Sequence, residues 1–387
     1  MADVDDSQRR RESSSHHRWP LALLIVFVAF PVALAVALYR LVDSFEAAAL
    51  PVHEFTGPTA TAAARNGHML RGAERVGEGA LLAPEDLAYD SKSGVIYTGC
   101  ADGWVKRVRL SDSVVENWVN TGGRPLGIVL DHNKNRLLVA DSEKGLLSIT
   151  KEEGVVEVLT KEADGAKFML TNCVDVAEDG TIYFTDSSNK YSLHEAVWDI
   201  LEANPNGRLL SYDPHTNQTK VLLSHIYFAN GVLVSPDQTC LIFCESLLRR
   251  CRKYHLKGER KGSVESFIDY LPGMPDNIHY DGEGHYWIAL VMEATKFWDL
   301  AMRYPFIRKV VAFLERNNCR PKMEKNGGVF AVDLEGRPIF HYHDPHLPFI
   351  SSGLKIENHL YCGSNAYPYM IKLNLLNFPA QPSTSTT

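Results

Sequence analysis

Residues 172–186 read Asn-Cys-Val-Asp-Val-Ala-Glu-Asp-Gly-Thr-Ile-Tyr-Phe-Thr-Asp. Val174 and Val176 alternate with polar neighbours, an acidic glycine turn follows, and a second apolar run closes the unit. Alternation at period two is the mark of a β-strand with one buried face, and the turn makes the pair a hairpin. The opening recurs in five other places: Glu85-Asp86-Leu87-Ala88-Tyr89-Asp90, Leu126-Gly127-Ile128-Val129-Leu130-Asp131, Asn230-Gly231-Val232-Leu233-Val234-Ser235, Asp276-Asn277-Ile278-His279-Tyr280-Asp281 and Ser352-Gly353-Leu354-Lys355-Ile356-Glu357. In every copy the third and fifth positions are apolar. The second strands match as well: VIYTGC, RLLVAD, TIYFTD, CLIFCE, HYWIAL and HLYCGS. Third strands follow, such as Trp104 to Leu110 and Arg208 to Tyr212.

Successive openings lie 41 to 76 residues apart, which leaves room for four strands per unit. Six such units close into a ring, so the expected fold is an all-β, six-bladed β-propeller. Two stretches interrupt the repeat, each after the second strand of a unit. Lys190 to Asn204 carries Leu193, Val197, Ile200 and Leu201 at helical spacing. Thr295 to Asn317 carries Phe297, Leu300, Ala301, Tyr304, Ile307, Val311 and Leu314 on one stripe. Both are read as helical insertions that cover the channel mouth. Arg303, Arg308, Lys309 and Arg316 stand among the aromatics of the second, which raises membrane contact as a secondary reading.

The composition agrees with an ordered, loop-rich β protein: 387 residues, 45% apolar, with 27 glycines and 19 prolines. A net charge of −7 and the lack of a basic domain argue against a nucleic-acid partner. The seven cysteines form no CxxC pair, which excludes a zinc ribbon or thioredoxin-like site; Cys240 and Cys244 read as core residues on one strand, and pairing stays open.

Pro20 to Tyr39 is an uncharged run of bilayer length, preceded by Arg9, Arg10, Arg11 and Arg18 and followed by Asp43, Glu46 and Glu54. A single N-terminal transmembrane helix is therefore expected, with the N-terminus cytosolic and the rest translocated. The expected domains are a cytosolic tail (1–19), a signal-anchor (20–40), a luminal stalk (41–67), the propeller (68–376) and a disordered C-terminal tail (377–387). The location is the endomembrane system, endoplasmic reticulum or vacuole, as a type II protein. A cleaved signal leaving a soluble vacuolar or secreted protein is the alternative, since Ala33-Leu34-Ala35 resembles a cleavage site. Asn217-Gln218-Thr219 is the only N-x-S/T sequon and falls in a polar turn, so Asn217 is the expected glycosylation site.

The first position of each repeat holds Glu85, Leu126, Asn172, Asn230, Asp276 and Ser352. Equivalent positions of inner strands form a ring around a propeller channel. Four of the six, with Asn277 beside them, are oxygen donors without sulfur or imidazole, which is the ligand type that calcium selects. Asn and Asp also begin strands as turn formers, but four in one register around one axis point to a cation.

The stretches Glu85-Asp86-Leu87, Phe228-Ala229-Asn230-Gly231 and Asp276-Asn277-Ile278 resemble the calcium-binding strands of the superfamily of paraoxonases, senescence marker protein and strictosidine synthase. Phe184-Thr185-Asp186-Ser187-Ser188 and Gly207-Arg208-Leu209-Leu210-Ser211-Tyr212 are similar to its anchored strictosidine synthase-like members, and the resemblance spans about residues 70–375. It implies that Glu85, Asn172, Asn230, Asp276 and Asn277 hold a catalytic calcium. It also marks departures. Leu126 stands where paraoxonases carry a catalytic histidine, and its partner falls at Asp141. The register places Ser352 where strictosidine synthase has its essential glutamate. Cys173 replaces one ligand of a second, structural calcium, while Asp86 matches another. The expected activity is a calcium-dependent hydrolysis of apolar esters or lactones, arylesterase-like, with Asp276 as nucleophile or base. A non-catalytic binding or scaffold propeller with structural calcium is the alternative, and strictosidine-type condensation comes third. His279 and His285 are spare histidines; His279 is expected in a structural or solvent-facing role. Natural substrate and oligomeric state stay open.

Overall fold

The structure, a computed structural model, describes residues 23–42, 46–51, 56–133, 135–320 and 322–382. Six sheets follow one another along the chain; in blades one to five the earliest blade strand lies against the channel, and in blade six Ile350–Ile356 does. Blade one is Leu87–Asp90, Val95–Gly99, Trp104–Arg109 and Val115–Asn120. Blades two to five open with Pro125–Leu130, Thr171–Val176, Ala229–Val234 and Gly273–Tyr280. Blade six takes Ile350–Ile356, His359–Ser364 and Met370–Asn374 from the end of the domain and Ala73–Val76 from its beginning. That exchange joins the chain ends and closes the ring without a free inner edge.

The core is six seams rather than one centre. Each holds apolar residues from two neighbouring blades, as with Ile242 and Phe330 between blades four and five or Tyr97 and Leu147 between blades one and two. Second strands are buried on both faces for this reason: Ile182–Asp186 and Cys240–Glu245 have no exposed residue. Where inner strands approach most closely only glycine fits. A Cβ at Gly231 would lie 2.4 Å from the carbonyl oxygen of Asp276.

Both insertions are helical. The first contains α2 (Ala196–Glu202); the N-terminal segment contains α1 (Phe30–Val42), preceded by a π-helical turn at Ile25–Ala29. The second insertion is two helices, α3 (Lys296–Arg303) and α4 (Pro305–Arg316), because Pro305 cannot continue the first helix and instead starts the next. Leu50, Leu126, Leu170, Phe228, Trp298 and Met302 form a seventh apolar cluster that joins these helices to the channel mouth.

Several features depart from the sequence reading or add to it. Ala64–Asn66, placed in the stalk, pairs in parallel with Pro338–His343 of blade five and antiparallel with Gln381–Pro382, placed in the tail. Strands of two or three residues are too short to show a period. Cys244 is a core residue and forms a disulfide with Cys251, directly opposite on the next strand of blade four, which settles one pairing that the sequence left open. Among the described residues no helix is long and apolar enough to cross a membrane. Residues 1–22 of the expected tail and anchor lie outside the described residues, and from Leu23 to Tyr39 the apolar side chains are largely exposed.

The sixth repeat is shifted by one residue. In blades two to five the inner strand bulges at its first two repeat positions, so Thr171 faces Asp186 while Val174 faces Phe184. In blade six Ile350 faces Ser364 and Gly353 faces Cys362. Ser351 therefore occupies the first position and Ser352 the second. The slip is hidden because Gly353, not an apolar residue, fills position three; a Cβ there would meet Val329 Cγ1 at 2.6 Å.

Candidate functional site

The bulges turn the first-position side chains into one cavity of about 420 Å3 at the channel mouth, where Glu85, Asn172, Asn230 and Asp276 share the floor. All four, with Asn277, are at most 5% exposed. Their hydrogen bonds are one-sided. Asn172 Nδ2 donates to Ser187 Oγ at 2.8 Å, Asn230 Nδ2 to Ser246 Oγ at 3.1 Å and Asn277 Nδ2 to Glu85 Oε1 at 3.0 Å. The serines are anchored in turn, Ser187 Oγ to Ala229 O at 2.5 Å and Ser246 Oγ to Pro275 O at 2.6 Å. Each amide thus has its nitrogen tied back and its oxygen left over. Asn172 Oδ1, Asn230 Oδ1, Asn277 Oδ1 and Glu85 Oε2 are buried acceptors without a protein donor. Orphaned buried oxygens are costly unless something positive meets them.

The charges agree. Burial, then the nearby Asp276 and Asp86 carboxylates, raise Glu85 well above the usual carboxylate range, with Arg124 and Asn277 opposing. Burial pushes Asp276 up to about 7, against the nearby Asn230 amide and the hydrogen bond from Asn365. Arg124 supplies nearby positive charge, but its guanidinium spends its bonds on the carbonyls of Gly99, Pro125 and Ala83. Among the described residues no cluster of three or more His, Cys, Asp and Glu could hold a metal. A cation here depends on amide oxygens beside two carboxylates, a donor set suited to a hard, oxygen-seeking ion.

Asn365 is a site residue that the repeat reading missed; its Nδ2 donates to Asp276 Oδ2 at 3.1 Å. It follows directly on the second strand of blade six, as Ser187 and Ser246 follow those of blades three and four. The runs TIYFTD-Ser, CLIFCE-Ser and HLYCGS-Asn carry that signal in the sequence.

The remaining candidates lie elsewhere. Leu126 is buried in the cavity wall as an apolar residue. Asp141 is fully used: Oδ1 accepts from the backbone of Arg124, Glu143 and Lys144, and Oδ2 accepts from Thr121 Oγ1. No histidine dyad forms there. Ser351, at the true ring position, donates to Glu85 O at 2.6 Å. Ser352 points to the far end of the channel and donates to Asp86 Oδ1 at 2.8 Å, and His279 Nε2 lies 2.8 Å from the same oxygen and 3.1 Å from Ser352 Oγ. Burial disfavours the charged ring, yet Asp86 raises the His279 pKa above its usual value. His279 is thus a structural partner of Asp86, whose Oδ2 accepts from Ile128 N. Serine and carboxylate meet the same ring nitrogen, so the three do not form a relay. His285 pairs with Asp281 in a turn.

A closed six-bladed ring with carboxylates and amides around its channel defines the class of protein. The strictosidine synthase profile matches residues 172–259, and the profile of the strictosidine synthase-like N-terminal region matches residues 64–108. Strictosidine synthase-like 4 of Arabidopsis thaliana is 50% identical over 363 residues, covering 92% of this chain and 97% of that protein. Adipocyte plasma membrane-associated protein of Salmo salar is 33% identical over 334 residues, 79% of each. The chain belongs to the strictosidine synthase-like family. Two solved structures share the fold at 16% identity: a gluconolactonase from Xanthomonas campestris (TM-score 0.57, 82% of this chain and 97% of that one) and the calcium-binding protein regucalcin from Agrobacterium tumefaciens (TM-score 0.54, 78% and 93%).

The raised carboxylates give a signed prediction. Asp276 ordinarily ionises near 3.8 and in the fold near 7, so without a cation the folded state holds a proton that the unfolded chain releases. Stability of the cation-free protein should therefore fall as pH rises from about 4 to about 7, and a bound cation should remove that slope. Thermal unfolding at pH 5 and pH 8, with calcium or with EGTA, reads this out. The gap between the two conditions should widen at pH 8; no gap at either pH contradicts a cation site.

Proposed function

We propose that the chain is a calcium-dependent hydrolase of apolar esters or lactones. The observation that carries this reading is the set of four orphaned buried oxygens, three on residues that line an apolar cavity together with Asp276 and the fourth on Asn277, which bonds Glu85. Glu85, Asn172, Asn230, Asp276 and Asn277 would hold the ion, and calcium bound there would polarise a carbonyl or phosphoryl oxygen and stabilise the charge that develops on it. The chain's own residues do the rest. Asp276, with Oδ2 held by Asn365, acts as base toward a water or as nucleophile toward the acyl carbon. Leu126, Leu170, Phe228, Met274 and Trp298 bind the apolar part of the substrate and keep bulk water out.

The names of two fold relatives, a gluconolactonase and a calcium-binding protein, agree with this reading without extending to it a substrate. Leu126 and Ser351 favour a second one, a binding propeller with structural calcium, because neither titrates near neutral pH and the Ser351 hydroxyl is committed to Glu85 O. Condensation of the strictosidine type is disfavoured for the same reason. Asp276→Asn keeps the shape and one oxygen, so it should fold yet lose calcium-dependent aryl-ester hydrolysis by on the order of a thousandfold. A wild type without calcium-dependent turnover on esters or lactones would establish the binding reading instead.

The same reading places the propeller in the lumen of the endomembrane system, anchored through residues 20–39. The disulfide suits an oxidising compartment, and Asn217 is exposed in the hairpin turn between Gly207–Asp213 and Gln218–Ile226. Glycosidase treatment should sharpen and speed the band on a gel, and Asn217→Gln should abolish that shift. A wild-type band indifferent to glycosidase speaks against translocation.

A further inference from the structure

Helix α3 has two apolar faces. Trp298, Ala301 and Met302 are buried, and Trp298 lines the cavity. On the opposite face Phe297, Leu300 and Tyr304, spaced at i, i+3 and i+7, are 44%, 47% and 51% exposed, and Phe306 in the first turn of α4 is 57% exposed. Lys296 and Arg303 are exposed among them. Large apolar groups edged by cations, on a helix that already buries its other side, are the pattern of a surface that lies in a lipid headgroup region.

The chain itself indicates which surface. Arg308 of α4 is fully buried with no carboxylate bonded to it among the described residues, and its guanidinium spans three segments. Nε donates to Ala301 O at 2.9 Å, Nη1 to Leu201 O at 3.1 Å and Glu202 O at 3.0 Å, and Nη2 to Ala48 O. Ala48 N returns a bond to Glu202 O at 2.8 Å, and Leu50 is buried in the same cluster as Trp298. The segment that leaves the apolar N-terminal stretch is thus fastened to the lid helices, and α1 lies against α4. Eight residues lie between Tyr39 and Ala48, a reach of at most about 30 Å when fully extended.

We propose that the exposed face of α3 and the first turn of α4 sits in the interface of the bilayer that takes residues 20–39, with the cavity beneath it opening against the membrane. This rests on the anchor reading. It gives the apolar cavity a source of substrate, esters dissolved in the membrane, with a lid one helix thick between the two.

Full-length protein carrying Cys319→Ser, to remove the exposed thiol, is labelled with an environment-sensitive fluorophore at Leu300→Cys, Phe306→Cys, Val28→Cys or Glu259→Cys. Glu259 is exposed in the turn after the third strand of blade four, on the end of the ring away from the lid. In vesicles whose lipids carry a shallow spin label, emission from positions 28, 300 and 306 should shift to the blue and be quenched roughly twofold or more relative to position 259. Quenching at 28 with water-like emission at 300 and 306 overturns the proposal and leaves the anchor standing. Water-like emission at all positions removes both. Blue-shifted emission at 300 and 306 without lipid quenching means that a second copy covers the face, which also overturns it. None of these readouts depends on catalysis, so the hydrolase reading stands or falls separately.

Discussion

The arrangement depends on one electrostatic constraint: Glu85 and Asp276 are buried in the same cavity floor, and among the described residues no cation bonds to either. Arg124 is near but committed to backbone carbonyls. Two like charges in a dry site shift their pKa upward or find a counter-ion. The amide nitrogens of Asn172 and Asn230 are tied to Ser187 and Ser246, those of Asn277 and Asn365 to Glu85 and Asp276, and the side-chain oxygens of Asn172, Asn230 and Asn277 are left without a donor. That orientation stabilises a positive guest and penalises its absence.

The ring geometry follows from the backbone. In blades two to five a bulge at the first two repeat positions re-aims one side chain into the channel, and glycine at the second position in blades two and four lets the next inner strand approach. Of the second-position residues, Asp86 and Ser352 serve the far end of the channel, where they and His279 satisfy one another. The two ends have opposite economies of hydrogen bonding. The far end is closed among protein groups, and the mouth is left with acceptors in excess.

Much of this was legible in the sequence. Period-two alternation repeated six times carries the ring, and its first position carries Glu85, Asn172, Asn230 and Asp276. What escaped has physical reasons. Gly353 has no side chain to mark position three, so the alternation of Leu354 and Ile356 suggested a register one residue too late. The Cys244–Cys251 pair depends on cross-strand register, which spacing alone does not reveal. Asn365 reaches Asp276 from a different blade, 89 residues away, and only the closed ring makes them neighbours. Ala64–Asn66 and Gln381–Pro382 are strands because a sheet edge accepts them, not because of their own pattern.

The central claim is that the floor of the cavity binds one calcium ion through five oxygen-bearing side chains. Metal analysis of the purified full-length protein, after dialysis against calcium-free buffer, tests it most directly. About one equivalent of calcium should remain in the wild type, as expected for carboxylate-plus-amide sites of this size. Asn230→Ala should lower it without unfolding the ring. A folded wild type that retains no calcium, and takes up none on titration, would contradict the claim.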